Sequence, residues 1–172
     1  MMTAMDVESG VGGELADAHR AHYRSLVRLA SLLVDDVPAC EEIVQDAFVA
    51  VFGGRRPTRE PDKLLPYLRS AVLNGARSHL RRRAVRDRAQ PLRIVDDTAS
   101  AETHALLADQ QRAMLDALRS LPDRQRDVLV LRFYAGATEH EIAETLGIAP
   151  GTVKTHMRRG LDALERLVED LR

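Results

Sequence analysis

Lys154, Thr155, Arg158 and Arg159 recur at helical spacing near the end of this 172-residue chain, with Thr152 just ahead of them and His156 at their edge. Arg presents a rigid fork that pairs with two acceptors on guanine, while Lys and Thr hold phosphate oxygens or base edges. The other side of the same stretch carries Val153, Met157, Leu161, Leu164 and Val168 at threes and fours, the period of one apolar helix face. An apolar back and a short cationic front suit a helix that lies in the major groove of duplex DNA. This is recognition chemistry, not bond making. The chain has no nucleophile motif and no carboxylate cluster with metal spacing. Its six histidines are scattered, and His19 and His22 read as surface residues. Cys40 is the single cysteine, so no intramolecular disulfide is possible; it falls on an apolar helix face. No catalytic residue, metal or cofactor is expected.

The cationic helix needs a partner to aim it, and the residues before it supply one. Thr138 with Glu141 forms a capping box. Ile142, Ala143 and Leu146 follow at helical spacing, with Ala143 small where two helices must cross. Gly147 stands at the turn, where positive φ is often needed. Ile148 plugs that turn, and Pro150 suits the first turn of the next helix. Ala149 departs from the expected capping residue. Residues 138–159 therefore read as a helix-turn-helix.

Upstream, charge is distributed unevenly although the net charge is only −1. Residues 55–93 hold 12 Lys and Arg against 3 Asp and Glu, whereas residues 1–54 hold 3 against 9. A polyanion-binding segment thus sits between acidic neighbours. Helical periodicity predicts a first helix from Leu15 to Leu33 and a second from about Ala39 to Phe52, opened by Pro38. The second buries Ile43, Val44, Ala47, Phe48 and Val51, and shows Glu41, Glu42, Gln45 and Asp46 on its other side. A turn-rich loop covers residues 53–62. A third helix, from about Lys63 to Arg83 and extendable to Arg88, exposes Arg69, Asn74, Arg77, Arg81 and Arg82. Periodicity fades over residues 89–103 and resumes with helices near 104–118 and 121–134, the latter with Val128, Leu129, Leu131 and Phe133 as its apolar residues and ended by Gly136.

The expected fold is all-α: a flexible tail at residues 1–13, a first helical domain at 14–88, a flexible linker at 89–103, and a helix-turn-helix domain at 104–172. No hydrophobic signal core and no apolar run long enough for a bilayer is present. A soluble, cytoplasmic protein with no membrane partner is expected.

Specific local motifs sharpen this. The run Glu41-Glu42-Ile43-Val44-Gln45-Asp46-Ala47-Phe48 resembles the core-binding helix of the sigma-70 family. Leu121-Pro122-Asp123-Arg124-Gln125-Arg126, Glu141-Ile142-Ala143 and Gly151-Thr152-Val153-Lys154 resemble that family's promoter-binding region 4, and the short chain resembles its extracytoplasmic-function group. The resemblance implies a sigma factor that binds core RNA polymerase and directs promoter-specific initiation. Glu42, Gln45 and Asp46, with Glu41 assisting, would dock on the clamp helices of the largest subunit, and the polymerase flap would be a second contact. A mixed acid and amide face suits charge-assisted hydrogen bonds to a basic partner.

The resemblance further implies that the 53–62 loop and the following helix melt and hold the −10 element, through Lys63, Tyr67, Asn74, Arg77, Arg81 and Arg82. Cations along the strand and a polar pocket for a flipped base are what that task requires. Tyr67 replaces a frequent family Trp and is equally at home in a core. Thr152, Lys154, Thr155, Arg158 and Arg159 would read the −35 element as duplex. An anti-sigma factor is an implied partner beside polymerase and promoter DNA. The rival is a stand-alone LuxR-type regulator, whose helix-turn-helix accommodates Thr152-Val153-Lys154-Thr155-His156 equally well. It would need a receiver of alternating strands and helices, which the first half does not suggest.

Overall fold

The computed structural model describes residues 4–53, 61–89 and 102–169, all in helices and the short turns between them. The order is α1 (Ala4–Leu33), α2 (Val37–Phe52), α3 (Pro61–Ala89), α4 (Glu102–Ser120), α5 (Asp123–Leu129), a π-helical turn (Val130–Tyr134), α6 (Glu139–Leu146) and α7 (Pro150–Glu169). By packing, the chain divides into two compact units. One comprises residues 1–76 and 144–147, the other residues 77–143 and 148–172.

In the first unit, Leu26, Leu29, Ala30 and Leu33 of α1 are buried, as their spacing requires. They share the core with Cys40, Ile43, Val44, Ala47 and Phe48 of α2 and Leu68, Val72 and Leu73 of α3. Fully burying one of the larger of these, a leucine, valine, isoleucine or phenylalanine, contributes about 1.5–3 kcal/mol. Asp36 starts α2, its carboxylate accepting from the Ala39 amide at 3.3 Å, with proline in the first helical turn. Gly75 lets α3 pass close to α2: a Cβ there would stand 2.9 Å from Ile43 Cγ2.

In the second unit, Pro122 sets the entry to α5. Its carbonyl accepts from the amides of Gln125 and Arg126 at 2.9 and 3.0 Å. Buried Val128, Leu129 and Leu131 pack the inside. Gly160 of α7 is buried, and a Cβ there would come within 3.1 Å of Leu129 Cδ1, so a larger residue at this close approach of α7 to α5 would require the leucine to give way.

Several expectations change. The first helix begins at Ala4, so the segment read as a tail carries helical backbone from that residue on. The helix expected over residues 121–134 is α5 followed by a π-helical turn, in which the Ala135 amide bonds to the Val130 carbonyl at 3.2 Å. The inserted residue shifts the helical phase by about 100°. Phe133, expected on the apolar face, is accordingly 67% exposed. Leu161, assigned to the apolar back of α7, is 42% exposed. Val51 is only half-buried. α3 runs from Pro61 to Ala89 and α4 starts at Glu102, so most of the expected linker lies outside the described residues, as does the 54–60 part of the 53–62 loop, whose last two residues belong to α3.

Candidate nucleic-acid interface

The helix-turn-helix forms as its residues dictate. Thr138 and Glu141 make the reciprocal capping box: the Thr138 amide donates to Glu141 Oε2 at 2.6 Å, and the Glu141 amide donates to Thr138 Oγ1 at 3.3 Å. Ile142, Ala143 and Leu146 are buried. Gly147 adopts φ +62°, a left-handed conformation that costs glycine nothing. Where a side-chain cap is missing at Ala149, its carbonyl accepts from the amides of Thr152 and Val153, at 2.9 and 3.2 Å.

On α7, Val153 is fully buried and fixes the rotation of the helix. Lys154, Arg158 and Arg159 are thereby exposed, and Thr152 and Thr155 are half-buried. The Thr155 hydroxyl donates to the Gly151 carbonyl at 3.1 Å; its oxygen remains able to accept. The five residues thus lie along the first three turns of one helix. The sequence reading missed an acid beside them: Glu139 Oε2 stands 3.6 Å from Lys154 Nζ.

The residues expected on α3 do not behave alike. Lys63, Asn74, Arg81 and Arg82 are exposed. Tyr67 is 49% exposed, so it is not a core residue. Arg77, expected in solvent, is a correction: its side chain is 14% exposed and its guanidinium pairs with Asp127 Oδ2. Asp127 is fully buried, and its Oδ1 accepts no hydrogen bond. Burial raises its carboxyl above the usual aspartate range; the hydrogen bond and charge of Arg77 and the charge of Arg126 pull the other way. Arg126, also buried, donates to Asp123 Oδ1 at 2.8 Å and to the Arg119 carbonyl at 3.1 Å. The available signal was an Arg-Asp pair abutting the apolar run Val128–Leu131.

On α2, Glu41, Glu42, Gln45 and Asp46 are all exposed over a buried apolar side. Val49, one turn beyond Gln45 and also exposed, extends that face. Further back, the His22 imidazole is held below its ordinary value by burial and by the Arg69 charge. Among the described residues no group of His, Cys, Asp or Glu is arranged to hold a metal ion, and no helix is long and apolar enough to cross a membrane.

Two stretches of the chain match known family models. Residues 18–86 match the family model Sigma-70 region 2, and residues 111–164 match Sigma-70, region 4. The RNA polymerase sigma-E factor of Streptomyces avermitilis is 33% identical over 163 residues, covering 92% of this chain and 85% of the relative. The ECF RNA polymerase sigma factor SigM of Mycobacterium tuberculosis is 29% identical over 149 residues, 87% of this chain and 74% of the relative.

The chain belongs to the sigma-70 family, in its extracytoplasmic-function group.

A probable RNA polymerase sigma factor, RfaY, of Xanthomonas campestris is 29% identical over 145 residues; these are 81% of this chain but only 36% of that longer relative. The fold is that of the sigma factor RpoE from Bartonella quintana, solved in complex with the anti-sigma factor NepR. The TM-score is 0.69 at 21% identity, over 92% of this chain and 99% of that one. The stand-alone LuxR-type reading falls, because region 2 occupies the half that it would need for a receiver. Sigma factors as a family are non-catalytic initiation factors.

Proposed function

We propose that this sigma factor docks on core RNA polymerase through Glu41, Glu42, Gln45 and Asp46 of α2 and directs the enzyme to promoters. Lys63, Tyr67, Asn74, Arg81 and Arg82 of α3 hold the melted −10 strand. Arg77 joins them only after leaving Asp127. Thr152, Lys154, Thr155, Arg158 and Arg159 of α7 read the −35 duplex. The observation that carries this reading is the pairing, in one chain, of an exposed acid-amide helix face in the region 2 match with a capped helix-turn-helix in the region 4 match. In this reading residues 14–88 and 104–172 are the working modules, joined by residues 89–103. Each DNA-reading face is small, so mounting both on one enzyme raises their effective concentration.

The exposed aromatics Phe133 and Tyr134 offer apolar ground for the polymerase flap. The chain performs no chemistry of its own and works in the cytoplasm, where polymerase and promoter DNA are. An anti-sigma factor is a further partner, supported by the NepR complex of the structural relative.

The test is reconstitution with core polymerase and transcription from genomic DNA with start-site mapping. Mapped starts should share −10 and −35 elements. Arg158→Ala should cost about 1–3 kcal/mol at one −35 position if Arg158 contacts a base, or weaken all sites and flatten the salt slope if it contacts a phosphate. Failure of the pure chain to associate with core polymerase at moderate salt defeats the proposal.

A further inference from the structure

The acid beside the recognition helix is not part of the capping box that starts α6. Glu139 is the first residue of α6, where a carboxylate ordinarily complements the helix dipole. That helix end is already served: Glu141 accepts from the Thr138 amide and Thr138 Oγ1 accepts from the Glu141 amide. The Glu139 side chain instead reaches across the motif to Lys154, with Oε2 to Nζ at 3.6 Å and the two side chains 43% and 68% exposed. An ion pair this exposed adds little to stability. Its significance lies in its position, because it stands on the surface that has to meet DNA.

Two consequences follow from the charges. A carboxylate on that surface repels phosphates, and it neutralises the one lysine among the five assigned residues. Among the described residues, Arg158 and Arg159 have no carboxylate within ion-pair distance. With no such neighbour, either arginine can take a phosphate and displace counterions or pair with guanine. Lys154 is not equivalent to them. Its ammonium keeps two further donors beyond the one turned to Glu139, and acceptors on base edges, which carry no formal charge, are less repelled by Glu139 than phosphates are.

We propose that Glu139 is a positioning residue for −35 recognition: it holds the Lys154 ammonium off the phosphates and toward base edges, and so trades general affinity for sequence preference. This rests on the reading of α7 as the −35-recognition helix.

The experiment uses the full chain assembled with core polymerase and a template library randomised across the −35 region. Wild type, Glu139→Gln, Lys154→Ala and the double variant are compared by the sequences that they select and by the salt dependence of binding to one selected promoter. Glu139→Gln should flatten preference at one position by about tenfold. It should also strengthen binding to non-selected DNA and steepen the logarithmic salt slope by about 0.9, as the released lysine takes up one phosphate. Lys154→Ala should flatten the same position, and Glu139→Gln should add nothing to it in the double variant.

A Glu139→Gln protein with the wild-type profile and salt slope overturns the assignment. So does a profile change that persists in the Lys154→Ala background, or a lowered melting temperature with preference intact, which is what a purely structural role would give. If wild type itself selects no −35 sequence, the reading of α7 fails first and takes this assignment with it.

Discussion

The two units of this sigma factor are built on different physics. Among the described residues, the first buries aliphatic side chains of α1, α2 and α3 and no charged one, while both buried charged residues, Arg126 and Asp127, lie in the second. The exposed faces differ in the same way. The acid-amide face of α2 stands over a continuous apolar floor, whereas the cationic face of α7 has a carboxylate, Glu139, within ion-pair distance of Lys154. Apolar packing holds a surface without choosing its chemistry. Charge inside or beside a surface makes its behaviour depend on protonation and partners.

The comparison can be broken most forcefully at the aliphatic core. Leu68 is fully buried, and Leu68→Ala should destabilise the chain by about 2–5 kcal/mol through lost burial and the cavity left behind. Urea denaturation of the full chain measures it. A loss well under 1 kcal/mol would mean that the first unit does not depend on close aliphatic packing. A smaller effect is expected at the start of α6. Thr138→Ala removes a cap and should cost about 1 kcal/mol, and hydrogen exchange of the α6 amides should accelerate ahead of the rest of the chain.

The smallest effects, and the most specific to the contrast, are in pH dependence. The raised Asp127 carboxyl means that the folded chain holds this proton more tightly than the unfolded one. Its contribution to stability is present below the ordinary value of 3.8 and is lost as pH rises through the higher folded value. His22 acts in the opposite sense. Its lowered value favours the neutral ring, so that contribution is present above 6.5 and is lost as pH falls through the lower folded value. Denaturation at a series of pH values should show Asp127→Asn removing the first dependence and His22→Gln removing the second. Identical curves for both variants and wild type would erase this distinction between the units.

Much of this molecule is legible in its residues. The periodicity of the apolar positions gives the helices, the Thr138 and Glu141 pair gives the start of α6, and Gly147 gives the turn, because each depends on neighbours within a few residues. The exposed faces of α2 and α7 follow from the same period. Tyr67 was undecidable, since an amphipathic ring suits core and surface equally; packing leaves it half exposed. Phe133 was misplaced because a π-helical turn has no reliable sequence signature, and one inserted residue changes which side faces out.

The all-helical chain, its capped helix-turn-helix and the cationic and acidic faces are written in the residues alone, because helix formation and amphipathicity are governed by residues three and four apart. That Arg77 is held by Asp127, 50 residues away, and that Lys154 meets Glu139 across the motif, emerges only on folding. Ion pairs between distant residues leave no periodic trace in the chain. They arise when packing of the apolar faces brings two charges within reach, and packing at that range is a property of the folded whole.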